Sequence, residues 1–123
     1  MKTCVIIPCR YDSVRFPGKP LKLLRGKPLL YYPYKVAKSV RGISEVHIAT
    51  DDDRIKKVCK KLKINFLMTK KTHLTGSDRV AKAFFRLKKF DSVINIKGDE
   101  PFISKSLIEK CLKKITDISK TFS

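Results

Sequence analysis

Residues 3–8, Thr-Cys-Val-Ile-Ile-Pro, decide the fold of this chain. The run is short, rich in β-branched residues and closed by proline, which is typical of a strand buried on both faces. A long polar loop over 9–27 follows, and a helix is predicted over 29–40. Pro28 suits the first turn of that helix. Pro33 removes a backbone donor, so the helix is expected either to begin there or to be kinked.

Strand and helix patterns alternate along the rest of the chain. Further strands are predicted over 45–50, 64–68 and 92–97, and further helices after Asp51 to Asp53, over 75–87 and from 104 onward. The three aspartates are interpreted as helix caps alone. Strands that alternate with helices imply right-handed βαβ units, and hence an α/β fold with a parallel sheet. Because ligands bind at the carboxyl ends of such strands, function is expected at that edge.

The length of 123 residues suits a single domain, and a hydrophobic fraction of 42% can fill a modest core. We expect a folded body over 1–118 and a polar tail over 119–123. No apolar stretch approaches a membrane span or the core of a signal peptide, which predicts a soluble cytoplasmic protein with no membrane partner. The four cysteines form no C-x-x-C motif and no Cys/His cluster. They are therefore predicted to be reduced and mostly buried.

The net charge is +18, from 29 Lys and Arg against 11 Asp and Glu, and it raises nucleic acid as a partner. Of these 29 cations 22 are lysines, and many of the lysines fall on the polar sides of predicted helices, where a solvated face is the ordinary explanation. The sequence has no RNP-like aromatic strand, zinc finger or heptad. Since charge alone predicts attraction rather than a site, no dedicated nucleic-acid partner is expected.

The loop after the first strand carries Arg10, Arg15 and Lys19 within ten residues. Arginine forks suit phosphate oxygens and lysine adds a point charge, so a polyanion such as a triphosphate is the natural ligand. The loop is not a Walker A motif, which needs glycine in place of Ser13 and Ser or Thr in place of Pro20. A solvated basic loop remains the alternative interpretation.

Two carboxylates, Asp99 and Glu100, end the fourth predicted strand. Magnesium usually takes one or two protein carboxylates and completes its octahedron with water and substrate phosphates. A strand-end aspartate that faces a triphosphate loop therefore suits Mg²⁺. The alternative is a turn whose acids lead into the next helix.

A polar turn over 73–79 lies at the start of the third predicted helix. Helix starts attract anions and offer donors to a base or ribose, and Arg79 lies one turn into this helix. Ordinary N-capping by Thr75 or Ser77 is the simpler interpretation. His73 has no second histidine at ligand spacing.

In order and spacing, these segments together resemble the family of 3-deoxy-manno-octulosonate (Kdo) cytidylyltransferases, or CMP-Kdo synthetases. The resemblance covers about residues 3–112. Its motifs are Ile6-Ile7-Pro8-Cys9-Arg10-Tyr11-x-Ser13-x-Arg15-x-Pro17-Gly18-Lys19-Pro20-Leu21, Gly26-Lys27-Pro28, Ala49-Thr50-Asp51, Met68-Thr69, His73-x-Thr75-Gly76-Ser77-Asp78-Arg79 and Asn95-x-x-Gly98-Asp99-Glu100-Pro101.

The resemblance implies a three-layer Rossmann-like nucleotidyltransferase fold, truncated here, that binds CTP and Mg²⁺. It implies that the anomeric hydroxyl of an acidic sugar attacks the α-phosphate of CTP and releases pyrophosphate, giving CMP-Kdo for lipopolysaccharide biosynthesis. Catalytic roles then fall to Arg10, Arg15, Lys19 and Asp99, and Asp99 binds magnesium. The implied nucleotide-binding set is Pro8, Cys9, Arg10, Ser13, Arg15, Lys19, Thr75, Gly76, Arg79 and Lys97.

The chain departs from the family pattern at several points. The family usually has alanine in place of Cys9, Ser-Gly-Thr in place of residues 75–77 and glutamine in place of Lys97. A cation at position 97 can compete with magnesium at Asp99 or alter recognition of the base. Family members also continue into a second half that supplies a further metal-binding aspartate, most sugar contacts and the dimer interface. The alternatives are a catalytically incomplete nucleotide-binding fragment or subunit, or an enzyme for another acidic sugar.

Overall fold

The computed structural model describes residues 2–12, 16–71 and 75–122. Its elements, in chain order, are β1 (Thr3–Pro8), a 3-10 turn (Lys19–Leu21), β2 (Leu23–Leu24), β3 (Lys27–Pro28), α1 (Tyr31–Lys38), β4 (Ile43–Thr50), α2 (Asp53–Leu62), β5 (Phe66–Met68), α3 (Gly76–Leu87), β6 (Ser92–Asn95) and α4 (Lys105–Phe122). None of the described helices has the length and apolarity needed to cross a membrane.

The main sheet is parallel and has the strand order β5-β4-β1-β6. Strand β1 lies inside it, with β4 on one side and β6 on the other. Five of its residues, Thr3 to Ile7, are at most 1% exposed, as its uninterrupted apolar run predicts. The chain moves outward from β1 through β4 to β5 and then returns to the opposite side of β1. The crevice at this change of direction lies beyond the carboxyl ends of β1 and β6.

Helices cover both faces of the sheet and create three layers. On one face, Val5 and Ile7 pack in a core with residues of α1, α2 and α4. On the other, Cys4 and Ile6 pack against Val80 and Ala83 of α3. The alternation of side chains along β1 therefore supplies both cores, and the predicted α/β fold is confirmed.

Two predicted features of the first βα connection differ from the structure. The loop over 9–27 contains a small hairpin, β2–β3, as well as the 3-10 turn. The following helix begins at Tyr31 without a break at Pro33. Its first helical hydrogen bond is donated by the Tyr34 amide to the Leu30 carbonyl. Pro33 therefore lies in the first turn, where an N–H would have no helical acceptor, and its missing N–H costs the helix no hydrogen bond.

The remaining elements follow the predicted order, with shifted bounds. Strand β4 starts two residues early, at Ile43, and β5 is limited to Phe66–Met68. Helix α4 continues to Phe122, so the segment expected as a tail is helical as far as that residue. The thiols of Cys4, Cys9 and Cys59 are buried and that of Cys111 is half-buried, and all four are free.

Candidate functional site

A cavity of about 310 Å³ opens at the carboxyl ends of β1 and β6. Three distant segments of the chain form its walls, which are lined by Pro8, Arg10, Lys19, Pro20, Gly76, Lys97, Gly98 and Asp99. Six of the eight were expected to be site residues from the sequence; Pro20 and Gly98 are their neighbours. The parallel sheet brings these segments together because the ends of its strands share one edge.

Close packing beneath the cavity brings the residues after β6 against the end of β1. The Cys9 amide donates to the Ala49 carbonyl at 2.9 Å, and the Ile96 amide donates to the Ile6 carbonyl at 3.2 Å. Gly98 then passes so near Cys9 that an added Cβ would lie 2.3 Å from the Cys9 sulfur. Glycine is required there, and this approach places the next residue, Asp99, in the cavity wall.

Asp99 forms an ion pair with Lys19, whose Nζ lies 3.4 Å from Asp99 Oδ2. Lys19 begins the 3-10 turn, directly after Gly18, whose φ is +73°. The two side chains are 37% and 42% exposed. Exposed pairs of this kind contribute at most about 1 kcal/mol, so both groups remain available to a ligand.

Arg10 connects this cavity to a smaller one of about 150 Å³. Its Nη2 donates to the Asp12 carbonyl at 3.4 Å. The smaller cavity is lined by Arg10, Tyr11, Asp12, Asp51, Asp52, Lys71 and Arg79. The structure therefore places the predicted residue Arg79 beside the main cavity rather than in its wall.

Arg79 is 1% exposed and is held by two partners that the sequence interpretation did not assign to it. Its Nη2 lies 3.0 Å from Asp51 Oδ2, and its Nη1 donates to the Thr69 hydroxyl. The interpretation of Asp51 as a helix cap is wrong: the cap of α2 is Asp52, which accepts from the amides of Arg54 and Ile55. Asp51 and Thr69 lie in segments that the resemblance includes, and that was the available signal.

Of the other predicted residues that the structure describes, Gly76 and Lys97 line the cavity, and Thr75 caps the helix beside it. Thr75 is the N-cap of α3 and accepts from the Asp78 amide at 3.0 Å, as the simpler interpretation predicts. Gly76 lines the cavity, and a Cβ there would lie 3.4 Å from Pro8. Lys97 is exposed on the same wall as Asp99. The predicted residues Ser13 and Arg15, and also His73, lie outside the described residues.

Cys9 supports the site from below. Its side chain is 1% exposed and packs in the core. Burial raises the pKa of the Cys9 thiol far above its ordinary value; Cys59 and Asp99 raise it further, whereas Arg79 lowers it. The thiol is therefore neutral at physiological pH and acts as a small apolar side chain.

The sequence matches the model of the Cytidylyltransferase family over residues 4–122. The chain belongs to the cytidylyltransferase family. It is 45% identical over 111 residues to 3-deoxy-manno-octulosonate cytidylyltransferase 2 of Hydrogenovibrio crunogenus, a match that covers 89% of this chain and 45% of the relative. It is also 40% identical over 114 residues to an 8-amino-3,8-dideoxy-manno-octulosonate cytidylyltransferase of Shewanella frigidimarina, covering 91% and 46%.

A solved structure of a related enzyme has the same fold as this chain. A CMP:2-keto-3-deoxy-manno-octonic acid synthetase in complex with CTP superposes with a TM-score of 0.91 and 37% sequence identity, covering 95% of this chain and 48% of that one. The expected three-layer nucleotidyltransferase fold is thus confirmed. This cytidylyltransferase chain spans about half the length of the relatives that it matches.

A single carboxylate, that of Asp99, lines the cavity, so the described lining residues offer few ligands to a metal ion. Among the described residues, no group of three or more His, Cys, Asp or Glu side chains is arranged to hold a metal ion. Asp99 is the carboxylate that lines the cavity, beside three cations, Arg10, Lys19 and Lys97. This donor set fits Mg²⁺ arriving with a phosphate ligand, since that ion needs only one or two protein carboxylates.

Proposed function

We propose that the chain is the CTP-binding part of an enzyme that transfers CMP to Kdo, or to a closely related acidic sugar, in lipopolysaccharide biosynthesis. The single observation that carries this proposal is the convergence of Arg10, Lys19 and Asp99 on one cavity in a member of the cytidylyltransferase family. In the reaction, the anomeric oxygen bonds to the α-phosphorus and the bond to pyrophosphate breaks. Developing negative charge on the leaving group then requires nearby cations.

Of the three cations that line the cavity, Arg10 and Lys19 are the two that we assign to that charge. Arg10 presents a planar fork that suits two phosphate oxygens, and Lys19, nine residues later in the chain, adds a point charge to the same cavity. On the resemblance alone, we assign Ser13 and Arg15 to the same triphosphate. In such transfers, catalysis rests mainly on positioning and electrostatic stabilisation, which fixed cations provide.

Asp99 is the residue that we assign to magnesium. Bound there, the ion would neutralise phosphate charge. In the free protein Asp99 neutralises Lys19 instead, at 3.4 Å. Binding of a nucleotide therefore exchanges one weak pair for two stronger contacts, Lys19 with phosphate and Asp99 with the cation that accompanies the phosphate. Lys97, exposed on the same wall, adds positive charge that favours the nucleotide and opposes the metal.

We assign the base and ribose to the wall formed by the start of α3. Gly76 offers a surface without a side chain, and Thr75 shapes the turn before it as the helix cap. Pro8 forms the adjacent wall, with Cys9 beneath it. Arg79, buried beside this wall and fixed by Asp51 and Thr69, holds the start of α3 in place.

The part of the reaction that concerns the sugar rests on the relatives' names. Relatives at similar identity are named for Kdo and for its 8-amino derivative, so either acid is a substrate candidate. We assign sugar contacts, a second metal ligand and a homodimer contact to sequence beyond the span that this chain shares with them. The four free thiols support a reducing, cytoplasmic location.

A second candidate function is nucleotide binding without turnover, as a fragment or a subunit that needs a partner chain. The observation that favours it is the span of about half of the relatives' length. Both candidates predict the same cavity and the same ligand. They differ in whether a bound CTP reacts.

Calorimetric titration with CTP and Mg²⁺, followed by incubation with Kdo, tests the proposal. We expect CTP binding that Asp99→Ala weakens at least tenfold, since it removes a charged ligand. Asp91→Ala is the matched control, because Asp91 lies at the opposite end of β6 and accepts from the Lys2 amide. Pyrophosphate release indicates the transferase, and CTP binding without release indicates the second candidate. Absence of CTP binding would contradict both.

A further inference from the structure

A stacked pair lies beside the site and involves a residue to which we have given no role. The guanidinium carbon of Arg54, in the first turn of α2, lies 3.2 Å from the centre of the Tyr11 ring. Gly18 contacts the same ring: a Cβ added to it would lie 2.9 Å from the ring's Cε2 atom. Tyr11 is thus fixed by contacts with two segments, one of which belongs to α2.

Arg54 is oriented by a second contact that reaches the helix itself. Its Nε donates to Asp52 Oδ1 at 3.1 Å and its Nη2 donates to Asp52 Oδ2 at 2.7 Å. Asp52 also caps α2 through the amides of Arg54 and Ile55, so its carboxylate is fixed to the main chain. Although the Arg54 side chain is 55% exposed, this bidentate geometry holds the plane of its guanidinium.

We call residues 10–19 the phosphate loop, and Tyr11 and Gly18 lie near its two ends. Its carbonyl accepts from the Gly18 amide at 2.7 Å, and the positive φ of Gly18 lets the chain turn back onto the ring. Tyr11 directly follows Arg10, and Gly18 directly precedes Lys19. The contact between Tyr11 and Gly18 therefore sets the separation of the two cations in the cavity wall.

We infer that Arg54 is a positioning residue for the triphosphate site. It acts through Tyr11, which it holds in contact with Gly18 where the two ends of the phosphate loop meet. Arg54 is not among the residues that line the main cavity, and its guanidinium contacts Tyr11 and Asp52. Its effect is to limit the motion of Tyr11, so that Arg10 and Lys19 are in place before a nucleotide arrives. Such preorganisation lowers the ordering cost of binding. The inference rests on the proposed function, since it concerns the same site.

A double-mutant cycle with CTP as the probe tests this role. Arg54→Met removes the fork and its charge, Tyr11→Leu removes the ring, and Lys57→Met on the exposed side of α2 is the charge-matched control. We expect Arg54→Met to weaken CTP binding about three- to tenfold, the range of one cation–π contact, and Lys57→Met to change it less than about twofold. In the Tyr11→Leu background, Arg54→Met should cause no further loss.

Two results of the cycle would overturn the inference. The first is an undiminished loss from Arg54→Met in the absence of the Tyr11 ring, which would indicate a direct or long-range action of its charge. The second is an equal loss in the Lys57→Met control, which would indicate general attraction of the anion by this basic chain.

Hydrogen exchange at the Gly18 amide provides a readout that needs no nucleotide. That amide donates to the Tyr11 carbonyl, so we expect Arg54→Met to accelerate its exchange at least fivefold and Lys57→Met to leave it unchanged. Unaltered exchange in Arg54→Met would refute the positioning role even if CTP binds well. Conversely, a protein that shows the expected exchange but binds no CTP would contradict the proposed function and leave the loop contact established.

Discussion

Two ion pairs at one edge of the sheet differ in their burial. Arg79 and Asp51 lie 3.0 Å apart with side chains that are 1% and 19% exposed, whereas Lys19 and Asp99 lie 3.4 Å apart and are 37% and 42% exposed. Burial makes the first pair costly to separate, and exposure makes the second pair weak. The first therefore belongs to the frame of the site, and the second is suited to part when a ligand arrives.

The buried thiol of Cys9 interacts electrostatically with one member of each pair, Asp99 and Arg79. The pKa of this thiol is raised chiefly by burial, and both Asp99 and Arg79 act on it with opposite signs. Because the thiol is neutral, it adds no charge of its own to either pair. The following changes are ordered by the expected loss in the free energy of unfolding, from the largest to the smallest.

Removal of Arg79 should produce the largest loss. Arg79→Met leaves the Asp51 carboxylate without its buried partner, and we expect a loss of about 3–5 kcal/mol in the free energy of unfolding, measured by urea denaturation. Arg86→Met on the same helix is the control, because Arg86 is exposed and contacts the Met68 carbonyl. A loss below about 1 kcal/mol in Arg79→Met would mean that the two pairs do not differ as burial implies.

Close approach at Gly98 should have an intermediate effect. Gly98→Ala forces a Cβ to within 2.3 Å of the Cys9 sulfur, and overpacking of this kind costs about 1–3 kcal/mol. Adding Cys9→Ala should restore part of the loss, because it removes that sulfur. Gly76→Ala, whose Cβ would meet Pro8 at 3.4 Å, should change stability by less than about 1 kcal/mol. Additive losses in the double variant would show that contacts with Pro8 and Ile7 dominate instead.

The sequence predicted the elements whose signals are local and strong. The uninterrupted β-branched run predicted β1 with its observed bounds, and of the two predicted candidates for the cap of α3, Thr75 and Ser77, the structure selects Thr75. The hairpin β2–β3 was missed because its two-residue turn is Arg25-Gly26, with φ of 52° and 81°. In sequence, such turns are usually indicated by Asn-Gly or Asp-Gly, and Arg-Gly gives no comparable signal.

The site was predictable where topology alone brings residues together. Arg10 and Asp99 follow parallel strands, so their meeting at one edge follows from the fold. The pairing of Arg79 with Asp51 and Thr69 did not follow from topology; the resemblance includes the segments of both partners but does not pair them with Arg79. The stacking of Arg54 on Tyr11 depends on side-chain geometry across two loops, and nothing in the spacing of those residues indicates it.

Loss of the exposed pair should leave stability almost unchanged while it impairs binding. Lys19→Gln should alter the free energy of unfolding by less than about 1 kcal/mol, since the pair is exposed. It should weaken CTP binding about tenfold or more, because a charged contact to phosphate is lost. Lys22→Gln is a matched control, since both lysines lie over the Phe16 ring, at 5.7 and 5.4 Å. Equal effects of the two substitutions on CTP binding would remove the distinction between Lys19 and its neighbour.

The smallest effect concerns a third pair, Asp52 with Arg54, which the acid limb of a stability curve can measure. The hydrogen-bonded Arg54 guanidinium holds the pKa of Asp52 below its ordinary value of 3.8. Because the folded-state pKa is lowered, the contribution exists above about pH 4 and is lost as the pH falls through the lowered pKa. Asp52→Asn keeps a capping oxygen and removes the charge, so it isolates this contribution.

We expect the wild-type protein to exceed Asp52→Asn by less than about 1 kcal/mol in the free energy of unfolding at neutral pH, since Arg54 is largely exposed. The difference should be constant above about pH 5 and should shrink towards zero as the pH falls through the lowered pKa of Asp52. Asp53→Asn in the same turn of α2 is the control, because Asp53 does not form the bidentate contact with Arg54. A difference that persists at low pH would assign the loss to poorer capping by asparagine, and the charge of this pair would then serve the orientation of Arg54 rather than stability.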